Sequence, residues 1–218
     1  MLRFQGYKRG AEPPTADVRA IFDDALARGR EFMLPRATVR WLALSGRRGD
    51  MLETALGVLT IPGIADHWGE IAWLGVAVCT IGDRLEAEVS RLWEARELPL
   101  AAMLDSVGSA AVESLAEYVN DVLCAEGLAA GVRVTNRVSP GYGAWDVRDQ
   151  RAVFGMCPGD AVGVQLNDAC VMTPAKSITL LVGAGVAARV DHYFSQCARC
   201  WMATCAYRRV PARRTVHR

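Results

Sequence analysis

The stretch Val132-Arg133-Val134-Thr135-Asn136-Arg137-Val138 decides the fold class. Val132, Val134 and Val138 fall on one face, and Arg133, Thr135 and Arg137 on the other. A period of two is the signature of a strand with one buried face. The run over 132–138 therefore predicts a strand, with Arg137 on its polar face at the end. Immediately upstream the period is helical. Over 98–126 an apolar stripe runs through Leu104, Ala111, Leu115, Val119 and Val122, and Gly127 fits the stop. The small residues Gly108, Ser109, Ala110 and Ala111 permit close packing of this helix.

Working outward, 83–94 predicts a helix, with Leu85, Val89, Leu92 and Trp93 at helical spacing. The run 71–80 is rich in Val, Ile and Trp and reads as a buried strand. Residues 38–44 alternate like a strand, and 46–50 form a polar turn. The segment 14–30 is an amphipathic helix with Thr15 as N-cap and Val18, Ile21, Phe22, Ala25 and Leu26 on one face. Downstream, 146–154 predicts a short helix capped by Asp146. Residues 162–171 and 177–182 read as two strands joined by a turn at Thr173-Pro174. Helices first and mixed strands later point to an α+β fold, not a doubly wound one.

The totals narrow the function. The chain has 218 residues, half of them apolar, enough for one large domain or two small ones. A formal net charge of +1 gives no global field for nucleic acid or an acidic membrane surface. Lys8 and Lys176 are the lysines; the other basic residues are arginine. The apolar runs 71–81 and 178–188 fall short of the roughly 18 residues of a membrane span. Residues 1–14 carry no apolar core of a signal peptide, so a cytoplasmic protein with reduced thiols is expected.

The motifs differ in weight. Gly183-Ala184-Gly185-Val186-Ala187-Ala188 matches a dinucleotide fingerprint, but Asp191 is the last acid and no second strand follows. A turn or bulge after a strand is the better reading. Glu113, Glu117 and Asp121 recur every four residues on the face opposite the helical stripe. Such a row is ordinarily a solvated face; it also offers a carboxylate for the amino group of a bound amino acid. Arg137 would then take that ligand's carboxylate through two hydrogen bonds. Just after it, Ser139-Pro140-Gly141-Tyr142-Gly143 is a rigid turn bearing an aromatic ring. Cys197, Cys200 and Cys205 lie within nine residues and can converge on zinc or an iron–sulfur cluster, with His192, Cys170, Cys157 or a residue of a partner as a fourth ligand; unliganded or redox-labile thiols are the alternative. His67, His192 and His217 show no nucleophile–base spacing, and no Gly-x-Ser-x-Gly elbow occurs.

Several segments, in order, resemble the activation domain of cobalamin-dependent methionine synthase in its standalone form. They are Leu2-Arg3-Phe4-Gln5-Gly6-Tyr7-Lys8, Ala77-Val78-Cys79-Thr80-Ile81-Gly82 with Leu85-Glu86, and Leu104-Asp105-Ser106-Val107-Gly108-Ser109-Ala110-Ala111-Val112-Glu113. Arg137-x-x-x-Gly141-Tyr142 resembles the family's S-adenosylmethionine signature. The run from Val164 to Ser177 resembles its strand pair. After the Gly-Tyr turn this chain reads Gly143-Ala144-Trp145-Asp146, where methionine synthase itself has a Cys-Pro segment.

The resemblance implies one activation-domain-like unit over 1–218, with a cysteine- and arginine-rich tail at 192–218. It implies a twisted mixed or antiparallel sheet with flanking helices. It also implies a methyltransferase component that reactivates an oxidised corrinoid: one electron reduces cob(II)alamin, and the cobalt then takes the methyl group of S-adenosylmethionine. Arg137 would hold S-adenosylmethionine, with Glu113, or failing it Glu117, as a second contact and Gly141 and Tyr142 at the turn facing the cobalamin. The partner would be a cobalamin-dependent methionine synthase lacking this domain, and the electron donor a flavodoxin or ferredoxin. Another corrinoid methyltransferase as partner, or a non-catalytic metal-binding or corrinoid-docking module, are the alternatives.

Overall fold

A computed structural model describes residues 13–190 of the chain. The chain opens with α1 (Ala16–Phe32), whose first turn is closed by Thr15: its hydroxyl accepts a hydrogen bond from the Val18 N–H at 3.4 Å. Strand β1 (Arg36–Arg48) follows, then the hairpin strands β2 (Met51–Thr54) and β3 (Gly57–Thr60) and the short helix α2 (Ile64–Trp68). Next come β4 (Trp73–Thr80), α3 (Arg84–Glu94) and the 32-residue α4 (Leu98–Ala129). The last part holds β5 (Arg133–Val134), α5 (Gln150–Met156), the two-residue strands β6 (Gln165–Leu166) and β7 (Met172–Thr173), and β8 (Ser177–Gly185).

Six strands form one sheet in the order β3-β2-β1-β4-β8-β5, with every neighbouring pair antiparallel. Strand β1 is long enough to serve two partners. Its first eight residues pair with β4, and a register shift between Leu44 and Gly46 hands the rest to β2. A bulge of this kind bends the strand and raises the local twist. Strands β6 and β7 form a separate two-stranded ribbon.

The sheet separates two cores. On one face α1, α3 and α4 bury Leu85, Leu92, Leu104, Val107 and Leu123 against Ala77, Cys79, Leu180 and Val182. On the other, α2, α5 and the β2–β3 hairpin bury Leu52, Leu59, Trp68 and Met156 against Leu74, Val76, Val78 and Leu181. Strands β4 and β8 are therefore covered on both faces. This is why each reads as a largely apolar run and not as a strict alternation. The helical layer is tied by Glu88 of α3, which lies 2.7 Å from Arg91 and 2.8 Å from Arg28 of α1. Arg91 first, then Arg28, holds its carboxyl down at about 2.

The α+β class and the antiparallel sheet with flanking helices hold. Several local expectations do not. The polar segment 46–50 is mostly strand, because β1 runs to Arg48 and turns only at Gly49-Asp50. The hairpin and α2 were not anticipated. The inward stripe of α4 is Leu104, Val107, Val112, Ala116, Val119 and Leu123, with Ala111 and Leu115 at its margin and Val122 39% exposed. Gly127 does not stop α4: it is buried within the last turn, where Val134 leaves no room for a Cβ. The turn comes at Gly131, with φ of +73°, whose N–H bonds to the Leu128 carbonyl.

Only Arg133 and Val134 of the run 132–138 are strand. The segment 162–171 is not one strand either, since a short 3-10 turn at Gly159–Val162 leads into the β6–β7 ribbon. Gly183 and Gly185 form neither turn nor bulge; both sit inside β8. A Cβ on Gly183 would stand 2.7 Å from the Trp68 ring, and one on Gly185 would stand 2.8 Å from the Glu70 carbonyl. Close approach of the α2 region explains the glycines, and a phosphate loop is excluded by their place in the sheet.

Candidate functional site

The segment carrying Arg137 is stitched to β8 on both sides. Before it, the Thr135 N–H donates to the Gly183 carbonyl and the Thr135 hydroxyl accepts from the Gly183 N–H, each at 2.9 Å. After it, Val138 and Leu181 exchange two backbone bonds of 2.9 and 2.8 Å, and the Ser139 hydroxyl donates to the Thr179 carbonyl at 2.6 Å. Thr179 in turn donates to the buried Gln150 side chain at 2.9 Å. The backbone on either side of Arg137 thus belongs to the hydrogen-bond system of β8, although the run is not a continuous strand.

The turn beyond is equally specified. Gly141 and Gly143 have φ of +87° and +61°, conformations that favour glycine. The Gly141 N–H donates to the Trp145 carbonyl at 2.9 Å, and the Trp145 N–H donates to that of Tyr142 at 3.1 Å. Trp145 is buried, its indole N–H donating to Asp149 at 2.7 Å. A large buried ring thereby anchors a turn whose tip residue, Tyr142, is 40% exposed.

Three of the expected binding residues meet here. Arg137 Nη2 lies 2.8 Å from Glu113 Oε2, and the Tyr142 hydroxyl donates to Glu113 Oε1 at 3.0 Å. The Arg137 and Glu113 side chains are 18% and 23% exposed. One carboxylate of α4 therefore joins an arginine from the β8-stitched segment to a tyrosine from the turn. Gly141 supplies backbone to that turn. Glu117 stands one helical turn further along α4 on its exposed side and is not part of this bridge. Beneath the cluster, burial pushes the Cys79 thiol up to about 12 against the opposing charge of Arg137, so this thiol stays protonated.

The arrangement sets a guanidinium, a carboxylate and a phenol side by side, a donor set that suits a zwitterion. Ser139, Thr179 and Gln150, which fix the site's backbone, carry no signal in the sequence beyond Ser139 lying inside the motif. The cysteines Cys197, Cys200 and Cys205 and His192 lie outside the described residues. Cys157 and Cys170 are buried and donate to the Thr38 and Arg148 carbonyls at 3.9 and 3.8 Å. Among the described residues no group of three side chains could hold a metal ion, and no helix is long and apolar enough to cross a membrane.

A shallow depression of about 620 Å³ lies elsewhere, past the end of β8, lined by Arg47, Glu70 and Arg189. Its arginines are engaged in holding the fold. Arg47 donates to the Gly49, Gly69 and Ile64 carbonyls, and Arg189 to that of Asp66. A second recess of about 20 Å³, between α2 and Val138, is too small for a ligand.

No protein-family model matches the sequence, and no curated protein matches it. Thirteen chains of solved structures match. One is the crystal structure of the MetH reactivation domain bound to AdoHcy, with a TM-score of 0.64 and 16% identity. The match covers 87% of this chain and 72% of that one. The fold is thus that of the MetH reactivation domain.

Proposed function

We propose that this chain is an S-adenosylmethionine-binding reactivation subunit. It supports reductive remethylation of an oxidised corrinoid carried by a cobalamin-dependent methionine synthase that lacks such a domain. The observation that carries the reading is the meeting of Arg137, Glu113 and Tyr142 at one point. These are residues that the resemblance selects from two separate parts of the sequence, the long helix and the Arg137–Tyr142 motif. The donor set fits an α-amino-acid head group: a guanidinium for a carboxylate, a carboxylate for an ammonium and a phenol beside both.

When S-adenosylmethionine is bound, its sulfonium supplies an already activated methyl group, so no side-chain acid or base is required. The chain's own contribution is positional. Arg137, stitched to β8, fixes the carboxylate end. Glu113, set on a 32-residue helix, faces the ammonium. The Gly141–Gly143 turn presents Tyr142 toward the corrinoid partner. The electron comes from a separate donor of the flavodoxin or ferredoxin class.

The test is calorimetric titration of S-adenosylmethionine into the protein and its Arg137→Ala variant. Saturable binding that weakens by roughly 100-fold in the variant is expected, the scale of a lost charge-assisted pair. Absence of binding to the unaltered protein overturns the reading.

A further inference from the structure

We propose that the free edge of β1 docks an extended acidic segment of a partner protein, which joins the sheet as a further strand. Strand β1 pairs with β4 over 36–43 and with β2 from Leu44 onward. Among the described residues its other edge over 36–43 has no strand beside it. The register fixes which groups that edge presents. The Leu44 N–H donates to the Ala72 carbonyl, in step with the β1–β4 pairs. In an antiparallel pair, residues that bond to the partner strand alternate with residues that bond away from it. Thr38, Arg40 and Leu42 therefore face β4, and the backbone N–H and C=O groups of Ala37, Val39, Trp41 and Ala43 face outward. No other main-chain group of the described residues bonds to these. Such a row of donors and acceptors is a template for another strand.

The two faces of the edge specify the strand. On the face that gives Trp41 and Ala77 to the helical core, Ala37, Val39 and Ala43 are exposed. Trp73 of β4, opposite Ala43, is 46% exposed on the same face. The other face carries Arg36 and Arg40, both exposed. Arg40 donates to the Met156 carbonyl at 3.1 Å, a neutral acceptor that leaves its charge in place. Neither guanidinium forms an ion pair with a carboxylate of the described residues. A strand with apolar side chains on one face and carboxylates on the other complements both. A second copy of this chain does not. Self-pairing along this edge sets Arg36 and Arg40 of both copies on one face, opposite or diagonal to one another, where like charges repel. The arginines thus guard the edge against its own kind and select an acidic strand.

The probe is an acetylated, amidated hexapeptide alternating glutamate and valine, with a lysine–valine hexapeptide as control. Amide exchange is followed by NMR in the protein alone and with each peptide. In the protein alone the Ala37, Val39, Trp41 and Ala43 amides should exchange fast, and those of Thr38, Arg40 and Leu42 slowly. Saturation with the glutamate peptide should slow the outward set by about tenfold or more and leave the inward set unchanged. The glutamate peptide should bind roughly tenfold more tightly than the lysine peptide, and Arg36→Glu should narrow that gap. Val39→Pro removes an outward donor without touching a bond to β4 and should abolish binding in a protein that thermal unfolding shows to be folded. Protection of the outward amides in the protein alone would mean that the edge is already covered, by another part of the chain or by a second copy, and overturns the proposal. So does absence of binding, or equal binding of the two peptides.

Discussion

Helices α1 and α2 lie on opposite faces of the sheet and are held by different means. Helix α1 is 17 residues long, closes its own first turn with Thr15 and lays Ala25 and Gly29 into the core beneath it. Helix α2 has five residues, too few to be stable alone. It is gripped at both ends by the β1–β2 turn. Asp50 accepts hydrogen bonds from the Gly63 and Ala65 N–H groups at 2.7 and 2.9 Å. Arg47 reaches the carbonyl of Ile64 in the first turn and that of Gly69 at the other end. One face is built from elements that carry their own instructions, the other from pieces that acquire shape only from their neighbours.

The strongest way to break this contrast is to empty the borrowed face. Trp68 is 2% exposed and packs against Gly183. Trp68→Ala should cost about 3–5 kcal/mol, as much as Leu104→Ala on the helical face at about 2–5 kcal/mol. Urea unfolding followed by circular dichroism should show a single transition for both. A Trp68→Ala protein that keeps its midpoint would mean that the α2 face is an appendage and not a core.

A smaller effect should come from the grip itself. Asp50→Ala removes a charged acceptor from two N–H groups and should cost about 1–3 kcal/mol. The bond from Ala65 is the main cause of the lowered Asp50 carboxyl, with that from Gly63 helping. A carboxyl lowered in the folded state stabilises above its ordinary value of 3.8 and loses that contribution as the pH falls through the folded value. Stability of the unaltered protein should therefore approach that of Asp50→Ala on acidification below 3.8. A constant gap between the two in urea titrations across that range would sink the assignment. The smallest effect is expected at α1: Thr15→Ala should cost about 1 kcal/mol, seen as faster amide exchange in the first turn with the rest unchanged.

The same contrast sets what could be read in advance. Thr15, the stripe of α1, the helix α3 and the buried runs of β4 and β8 follow rules that act within a few residues of themselves. The β2–β3 hairpin and α2 do not, because Asp50, Arg47 and Trp68 shape that region from across the fold. Gly127 illustrates the error in miniature. A glycine near a helix end predicts a stop, but here it makes room for Val134, and the stop falls at Gly131. At the site, Arg137 and Tyr142 were legible from one short motif. Helical spacing alone does not separate Glu113 from Glu117; the resemblance puts Glu113 first, and it is Glu113 that pairs with Arg137.

Strand β8 has one more consequence. It lies between β4 and β5, supplies a wall to both cores and anchors the Arg137 segment, yet it is the last strand of the described residues. Its partner β4 ends about a hundred positions earlier, so the pairing is among the most distant the chain makes. During synthesis, everything from α1 to the β6–β7 ribbon emerges while the middle of the sheet is still missing its inner strand. Until β8 leaves the ribosome, the apolar β4 has one unpaired edge, an invitation to wrong partners. The sheet's closure and the fixing of Arg137 are therefore one late event, and a nascent chain cannot own the site before it owns the fold.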